Sequence, residues 1–546
     1  MLTSRLVFAD KPAGLTTHSS LSESERSRPL ADLNDGFVEA LGDHLGAKLF
    51  VNHRLDRDTT GAIVFARDPE TAARLQELFA GREVKKRYLF LTDRAANQIE
   101  FTIETHIERR GSLYVSSAPS LERPANARTT LRRLAHENGI SLWEALPETG
   151  KPHQIRLHAE SCGIPILGDK DHGGSAFPTL CLHSAELRFV LDGEEISHAT
   201  PPPIWFESRE LVTDRTLIRW LAAVDRRARL LRSGAIAGAS FSAAAGIAPP
   251  IPATDLTLRW IHSEGDPLRA EQLGPVHWLS WYSDTEPSPT DLDRVRRLTE
   301  TLGWRQWVLQ LRGNRGRAPN EERRYLGPEP VPERWQGTEL SRVRYEFRAD
   351  QGLSPGLFLD QRRNRAWVLH NAQGLRVLNL FCYTGGFSVC AALGGAERVV
   401  SVDVSKPFLE WSKTNFVCNG LCTEGHEFRA MDSRDYLEWA RKKNITFDLV
   451  ICDPPSFGRS KSGVFTMEKD FARLFEMLLD VTAPQGRILF SSNYERWSLE
   501  DFAARAQALA RGKNIRLRLE ATPSPDWDFE LPRAPRNMKS FFAVRI

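Results

Sequence analysis

Cysteine is scarce in this chain. There are seven in 546 residues, an odd number, with no C-x-x-C pair. That usage excludes a disulfide framework and a zinc site, and a reducing compartment fits it best. No stretch of about 20 apolar residues is present to cross a bilayer. The opening MLTSRLVFADKPAGL lacks the long apolar core of a secretory leader. The expectation is a soluble, cytoplasmic protein with no membrane partner. A strong charge of either sign is missing too. The 73 Lys and Arg against 70 Asp and Glu leave a formal charge of +3, a mildly basic balance that permits nucleic acid as a partner without requiring it. Internal repeats are absent.

What is present is length, too much of it for one core, so several domains are expected. Residues 1–205 alternate short apolar runs with turn signals (LVFADKPAG, AIVFARD, RYLFLTD, SLWEALPETG), the pattern of an α+β unit. The triple proline of TPPPIW ends it. Residues 206–254 hold an Arg-rich helical stretch, TLIRWLAAVDRRARLLRSG, then a linker rich in Ala, Gly, Ser and Pro. Residues 255–345 read as a small α+β region. From 346 to 546 apolar strands recur with helices between them: RVLNLF, RVVSVDV, HEFRAMD, FDLVICD, GRILFSS, FFAVRI. Such alternation predicts a parallel, doubly wound α/β sheet.

Four strand ends in this last region carry polar groups that belong together. VLNLFCYTGGFSV runs from a strand through a glycine loop (Asn379, Phe381, Tyr383, Thr384, Gly385, Gly386) into a helix. Asp403 follows about 20 residues on, where an acid can take both ribose hydroxyls of a nucleoside cofactor. Asp432 could accept from an adenine amino group. Asp453 ends the next strand, followed by Pro454 and Pro455. Dinucleotide binding is the competing reading, but it asks for G-x-G-x-x-G against a pyrophosphate. This loop has neither that spacing nor a phosphate-binding Lys. The ordered set points to S-adenosyl-L-methionine.

Here the chain resembles a family. GLFLDQR, LNLFCYTGGFSV, FLEWSKTNFVCNGL, DPPSFGRSK and FSSNYERW occur in the order found in large-subunit rRNA methyltransferases, over about 255–546. Among these it is most similar to the guanine-N7 methyltransferase half of the bifunctional RlmKL enzymes. The resemblance implies that Gly356 to Arg362, including Asp360, help close the cofactor pocket, and that the preceding region positions RNA. Pro454, Pro455, Ser456, Phe457 and Asn493 are the candidate substrate contacts. Methylating C5 of cytosine needs a thiolate, and relatives that do so place it where this chain reads Ser491, Ser492 and Asn493. Cys382 and Cys452 are expected to pack. Exocyclic-amine methylation typically uses an aromatic after D-P-P, where Ser456 stands here. Guanine N7 already carries a lone pair, so positioning suffices. N7 therefore ranks ahead of cytosine C5 and guanine N2. Arg533, Arg536 and Asn537 are candidate base or phosphate contacts, or simply a loop entering the last strand.

In the first half, HRLDRDTTG at 53–61 places acids among arginines just before an apolar strand. An exposed ion-pair cluster contributes little to stability. Alternatively, Asp56 is a nucleophile kept ionised by guanidinium groups. VFADKPAGLTTH upstream, with KKRYLFL, TGKPHQIRLHAESCGIPILGD and LCLHSAELRF downstream, together resemble the RluA-type pseudouridine synthases over about 1–205. That resemblance implies Asp56 as nucleophile, Arg156 as its ion-pair partner, Tyr88 against the target uracil, and Arg54 filling the stack vacated by a flipped uridine. It implies no cofactor and no metal in this half. His153 and His158 are read as structural or RNA-contacting. One departure is Lys151, where the family usually has Arg, so a bidentate fork is lost. The small RNA-binding module that many relatives carry ahead of this domain is not expected.

The fold class is thus multidomain: an α+β pseudouridine synthase domain, a small α+β domain, and an α/β Rossmann-like methyltransferase domain. The expected function is a bifunctional RNA-modifying enzyme acting on large-subunit rRNA, with tRNA as runner-up. A further alternative makes one half an inactive RNA-binding module. The Arg-rich helix at 215–232 and RGNRGR at 312–317 are expected to contact phosphate, or else to be a solvated helix face and loop. The oligomeric state is left open.

Overall fold

The structure, a computed structural model, describes residues 5–19, 36–233, 255–262, 266–312, 324–340, 342–350, 354–460, 463–523, 528–529 and 538–546, without the side chains of residues 40, 43, 44, 324 and 457–460. Ten strands make the first sheet: β1 (Leu6–Lys11), β2 (Phe50–Val51), β3 (Thr60–Ala66), β4 (Lys85–Thr92), β5 (Glu100–Arg110), β6 (Leu113–Ser117), β7 (Ala127–Glu137), β8 (Ile140–Pro147), β9 (Leu182–Leu191) and β10 (Glu194–Ala199). Their order is β1-β3-β9-β4-β8-β7-β5-β6, with β10 beside β9 and β2 beside β3. Every residue of β1 and β3 is buried. That explains why LVFADK and TGAIVFA read as continuous apolar runs rather than as alternations. In β8, which has one buried face, Trp143 and Ala145 alternate inward. The helices α1 (Phe37–Leu45), α2 (Pro69–Ala80) and α3 (Gln154–Ser161) flank the sheet.

The Arg-rich segment forms α4 (Arg215–Ser233), and here an expectation is corrected. Arg226, Arg227 and Arg229 are buried, so they are not phosphate contacts on a solvated face. Arg229 pairs with Asp10 of β1 and, at 2.7 Å, with Asp225, while Arg232 reaches Asp10 at 2.9 Å. Arg227 Nε donates to the Asp528 carbonyl at 2.9 Å, far along the chain. For Arg227 and Arg229, carboxylates and carbonyls on and around the helix supply the partners that burial of a charge requires. Leu217, Ile218, Trp220 and Leu221 join one hydrophobic core with the first sheet and with the next small sheet.

That small sheet comprises β11 (Thr257–Ile261), β12 (Leu268–Leu273), β13 (Val276–Trp281), β14 (Trp307–Leu311) and β15 (Arg324–Leu326), in chain order across the sheet. Only β13 and β14 pair in parallel, which the crossover helix α5 (Pro289–Thr301) permits. Ser288 and Asp291 cap that helix reciprocally. A hairpin of β16 (Arg334–Glu339) and β17 (Val343–Arg348) follows and straddles the expected division at residue 345.

The last region holds β18 (Arg376–Leu380), β19 (Arg398–Asp403), β20 (Glu427–Ala430), the hairpin β22 (Phe457–Ser460) and β23 (Gly463–Thr466) after β21 (Phe447–Cys452), then β24 (Thr482–Ser492), β25 (Leu517–Ala521) and β26 (Lys539–Arg545). The main sheet runs β20-β19-β18-β21-β24-β26-β25. Its first five strands are parallel as expected. FFAVRI is the correction: β26 lies antiparallel to both β24 and β25. Strand order reverses between β18 and β21, the switch point where α/β sheets open a crevice at the strands' carboxyl ends. The helices are α6 (Arg362–Asn371), α7 (Gly386–Leu393), α8 (Lys406–Cys418), α9 (Ser433–Lys442), α10 (Met467–Val481) and α11 (Leu499–Gly512).

Two candidate active sites

The turn before β3 is held rigidly by backbone contacts. The Lys11 ammonium, fully buried, donates to the carbonyls of Pro12, Asp56, Arg57 and Thr59 at 2.9–3.1 Å. Thr17 both donates to and accepts from the Leu55 backbone. Gly61 adopts φ +111°, and a Cβ there would stand 2.2 Å from the Ser184 carbonyl, so no other residue fits. So fixed, the turn presents Asp56 to a cavity of about 750 Å³ that Arg54, Lys86, Tyr88, His153 and Arg156 also line.

Arg156 is shared among three carboxylates. Nε and NH2 grip Asp169 at 2.7 and 2.6 Å, NH2 reaches Asp171 at 2.8 Å, and NH1 reaches Asp56 at 3.5 Å. Burial opposes its charge, but the hydrogen bonds and charge of Asp169, then Asp171 and Asp56, win and raise its pKa. Tyr88 is buried, and burial above all, with the Asp56 charge adding, pushes its phenol up to about 12. It therefore faces the cavity as a neutral ring. Lys86 donates to the Thr149 carbonyl at 2.9 Å, and burial pulls its pKa down to about 8. His158 is structural: it is buried between Thr105 and Thr129 at 2.8 Å each, and burial lowers its pKa to about 4. His153 instead lines the cavity, 2.9 Å from His172. Asp169, Asp171 and His172 were not singled out from sequence. Their signal was GDKDHGG, two acids bracketing a lysine before a double glycine.

In the last region the glycine loop curls tightly, with φ of +53° at Phe381, +48° at Tyr383 and +77° at Gly385. The curl aims the Tyr383 N–H at Asp403 (2.9 Å), whose other oxygen accepts from Ser405 N at 2.9 Å. Each Asp403 oxygen keeps a second lone pair, which suits a ribose diol and fits an S-adenosylmethionine site. A Cβ on Gly385 would meet Ser412 Oγ at 1.9 Å. Asn379 bonds Ser388 at 2.9 Å and ties β18 to α7. Thr384 Oγ1 donates to the Gly356 carbonyl, drawing the 356–362 segment over the loop.

Asp453 accepts from Gln361 Nε2 at 2.9 Å, and Asn364 in turn orients Gln361 at 2.7 Å. Burial first, then the Asp360 charge, raises the Asp453 pKa to about 7. Ser456 donates to Asn493 at 2.8 Å beside it. Two expected cofactor contacts are differently engaged. Asp432 caps α9, and the Arg434 guanidinium meets its two oxygens at 3.0 Å each. Arg362 is buried on Asp528 (3.0 and 3.1 Å) and the Thr257 carbonyl (2.9 Å). It thereby joins α6 to β11 rather than facing a ligand. Asp360 lies in the field of Arg259, and burial raises its pKa. Cys382 and Cys452 are buried, which pushes both thiols well above their ordinary pKa. The Phe457 side chain, Arg533, Arg536, Asn537 and all of RGNRGR beyond Arg312 lie outside the described residues.

Comparison with known proteins defines the class of each half. Residues 5–161 match the RNA pseudouridylate synthase family, and residues 263–528 match the S-adenosylmethionine-dependent methyltransferase family. The chain therefore carries a pseudouridine synthase domain followed by a Rossmann-like S-adenosylmethionine-dependent methyltransferase domain. More particularly, it is similar to ribosomal RNA large subunit methyltransferase K of Neisseria meningitidis, 40% identical over 162 residues, 29% of this chain and 46% of that protein. It is also similar to ribosomal RNA large subunit methyltransferase K/L of a Shewanella species, 43% identical over 150 residues, 27% of this chain and 21% of that protein. The matching stretch thus spans less than half of each relative. Among solved structures, the SMU.776 methyltransferase complexed with SAH has the same fold, at TM-score 0.50 and 22% identity over 66% of this chain and 88% of that one.

Proposed function

We propose that this chain is a two-site RNA-modifying enzyme. Its first half isomerises a uridine to pseudouridine. Its second half methylates large-subunit rRNA from S-adenosylmethionine, at N7 of a guanine. The observation that carries the first activity is the Arg156 cluster, because it sets a buried guanidinium beside Asp56 in a cavity of nucleotide size. Asp56 would act at the sugar, attacking C1′ or removing a sugar proton as the glycosidic bond breaks. The freed uracil would then turn against Tyr88 and rejoin through C5, the C5 proton being lost last. Arg156 would sit beside the carboxylate as the base turns, and Arg54 would hold the duplex open after flipping.

For the second half, the bound cofactor would supply an electrophilic methyl group. Asp403 would hold its ribose, with Phe381, Tyr383, Thr384, Gly385 and Gly386 wrapped around it. Asp453, Pro454, Pro455, Ser456 and Asn493 would orient the base. Two features support N7 over cytosine C5 and guanine N2. Burial keeps Cys382 and Cys452 protonated, so neither is a ready nucleophile, and the residue directly after Pro455 is Ser456, with Phe457 one place later.

The test is nucleoside mass spectrometry of unmodified large-subunit rRNA treated with the protein, with and without S-adenosylmethionine. The expected result is pseudouridine in both samples and 7-methylguanosine only with the cofactor. Appearance of 5-methylcytosine or 2-methylguanosine instead would overturn the target atom. Product on tRNA alone would overturn the choice of RNA.

A further inference from the structure

The small sheet has two unlike faces. Leu268 and Ala270 of β12 point into the core shared with α4 and α5. Arg269 and Glu271 alternate to the other face, where Arg259 pairs with Glu271 across the strands. At the end of this face the backbone fixes two residues by matching bonds of 2.8 Å: Tyr282 N–H to the Pro267 carbonyl, and Arg312 N–H to the Trp281 carbonyl. The result is an aromatic ring with two cations close to it. The Arg269 guanidinium stands 3.9 Å from the Tyr282 ring centroid and that of Arg312 stands 5.8 Å from it. Tyr282 remains 43% exposed. Among the described residues Arg269 has no carboxylate within ion-pair distance, unlike Arg259 on the same face.

This cluster is next to the methyltransferase pocket. The Arg312 charge acts on the Tyr383 phenol of the cofactor loop. Tyr383 in turn packs at 5.4 Å against Phe358, whose ring is 54% exposed on the segment that closes the pocket. Exposed rings interleaved with guanidinium groups are what a single RNA strand binds: bases stack on rings and on guanidinium planes, and phosphates meet the charges. A surface built only for stability would pair Arg269 with an acid and cover both rings.

We propose that Arg269, Tyr282 and Arg312 form the seat for the RNA strand flanking the methylated base, with Phe358 stacking the next base at the pocket mouth. This rests on the reading of the second half as an RNA methyltransferase. A base stacked on the Arg269–Tyr282 pair would hold the target nucleotide at the Asp453 edge of the pocket. The cation of Arg269 would meet the adjoining phosphate.

The experiment uses the full chain, saturating S-adenosylmethionine and transcribed, unmodified large-subunit rRNA. Tyr282→Ala and Arg269→Ala should each raise the KM for RNA in methylation about tenfold, the size of one lost stacking contact. They should leave kcat at saturating RNA, cofactor affinity by calorimetry and pseudouridine formation unchanged. Tyr282→Phe should restore the KM. Arg269→Ala should also lessen the slope of log affinity against log salt by about 0.7, one phosphate contact to a single strand. An unchanged KM in both alanine variants, with methylation intact, overturns the seat alone. Wild-type protein that binds S-adenosylmethionine but transfers no methyl group to RNA overturns the methyltransferase reading and the seat with it.

Discussion

Arg156 answers to three carboxylates, and the shares are unequal. Asp169 takes two short, parallel bonds and fixes the plane of the guanidinium, while Asp56 receives the remaining nitrogen at 3.5 Å. Asp169 therefore positions the cation, and Asp56 stays loosely held and available to a substrate. Asp56→Asn should lower pseudouridine formation by on the order of 10³-fold or more and leave methylation unchanged, as tritium release from C5-labelled rRNA and methyl transfer would show side by side. Asp169→Asn should reduce pseudouridine formation less than Asp56→Asn does. It should also destabilise the first half by about 3–5 kcal/mol, because it strips a buried cation of its main partner; a urea titration measures that loss. At the other site, Asp453 has a pKa of about 7 against an ordinary 3.8. Between those values the folded chain holds a proton that the unfolded chain has released. Raising the pH through this window therefore removes stability, and the loss is complete above about 7. Urea midpoints measured from pH 4 to 8 should fall through this group in the wild type, and Asp453→Asn should abolish that share of the fall.

Among the elements, the loop between β18 and α7 is the most tightly prescribed. Gly385 sits at φ +77° with Ser412 Oγ where a Cβ would be. Gly385→Ala should therefore reopen the β18–α7 turn and weaken S-adenosylmethionine binding by at least about tenfold through backbone strain, measurable by calorimetry, with pseudouridine formation intact. This loop could be read from sequence because its chemistry is local: a strand, a curl and a helix within a dozen residues. The same holds for HRLDRDTTG before β3 and for DPP after β21. What could not be read was long-range. Asp169 and Asp171 matter through an arginine on α3. Gln361 matters through Asp453. Asp432 shares its carboxylate with Arg434, a contact that the sequence does not show. β26 was read as parallel because an apolar run carries no direction. The arginines of α4 look solvated by composition, and only the carboxylates and carbonyls that surround them reveal them as core.

At the scale of the molecule, α4 belongs to both halves. Arg229 and Arg232 clamp Asp10, whose neighbour Lys11 holds the Asp56 turn. Arg227 meets Asp528, which holds Arg362 at the foot of the methyltransferase domain. Arg229→Ala leaves Asp10 buried with only Arg232, so a loss of about 3–5 kcal/mol is expected. Thermal melts followed by loss of pseudouridine formation and of methylation should both shift downward, since the helix lies in the core the first sheet shares with the small sheet.

The clamp on β1 also sets an order of events at the ribosome. Asp10 precedes its partner Arg229 by 219 residues. A domain usually folds as its own residues emerge. Here the strand beside the Asp56 turn waits for a helix made after the rest of its sheet. The first sheet is therefore complete while Asp10 still lacks Arg229 and Arg232, and a chain that stops short of α4 should be cleaved faster in pulse proteolysis than one that includes it.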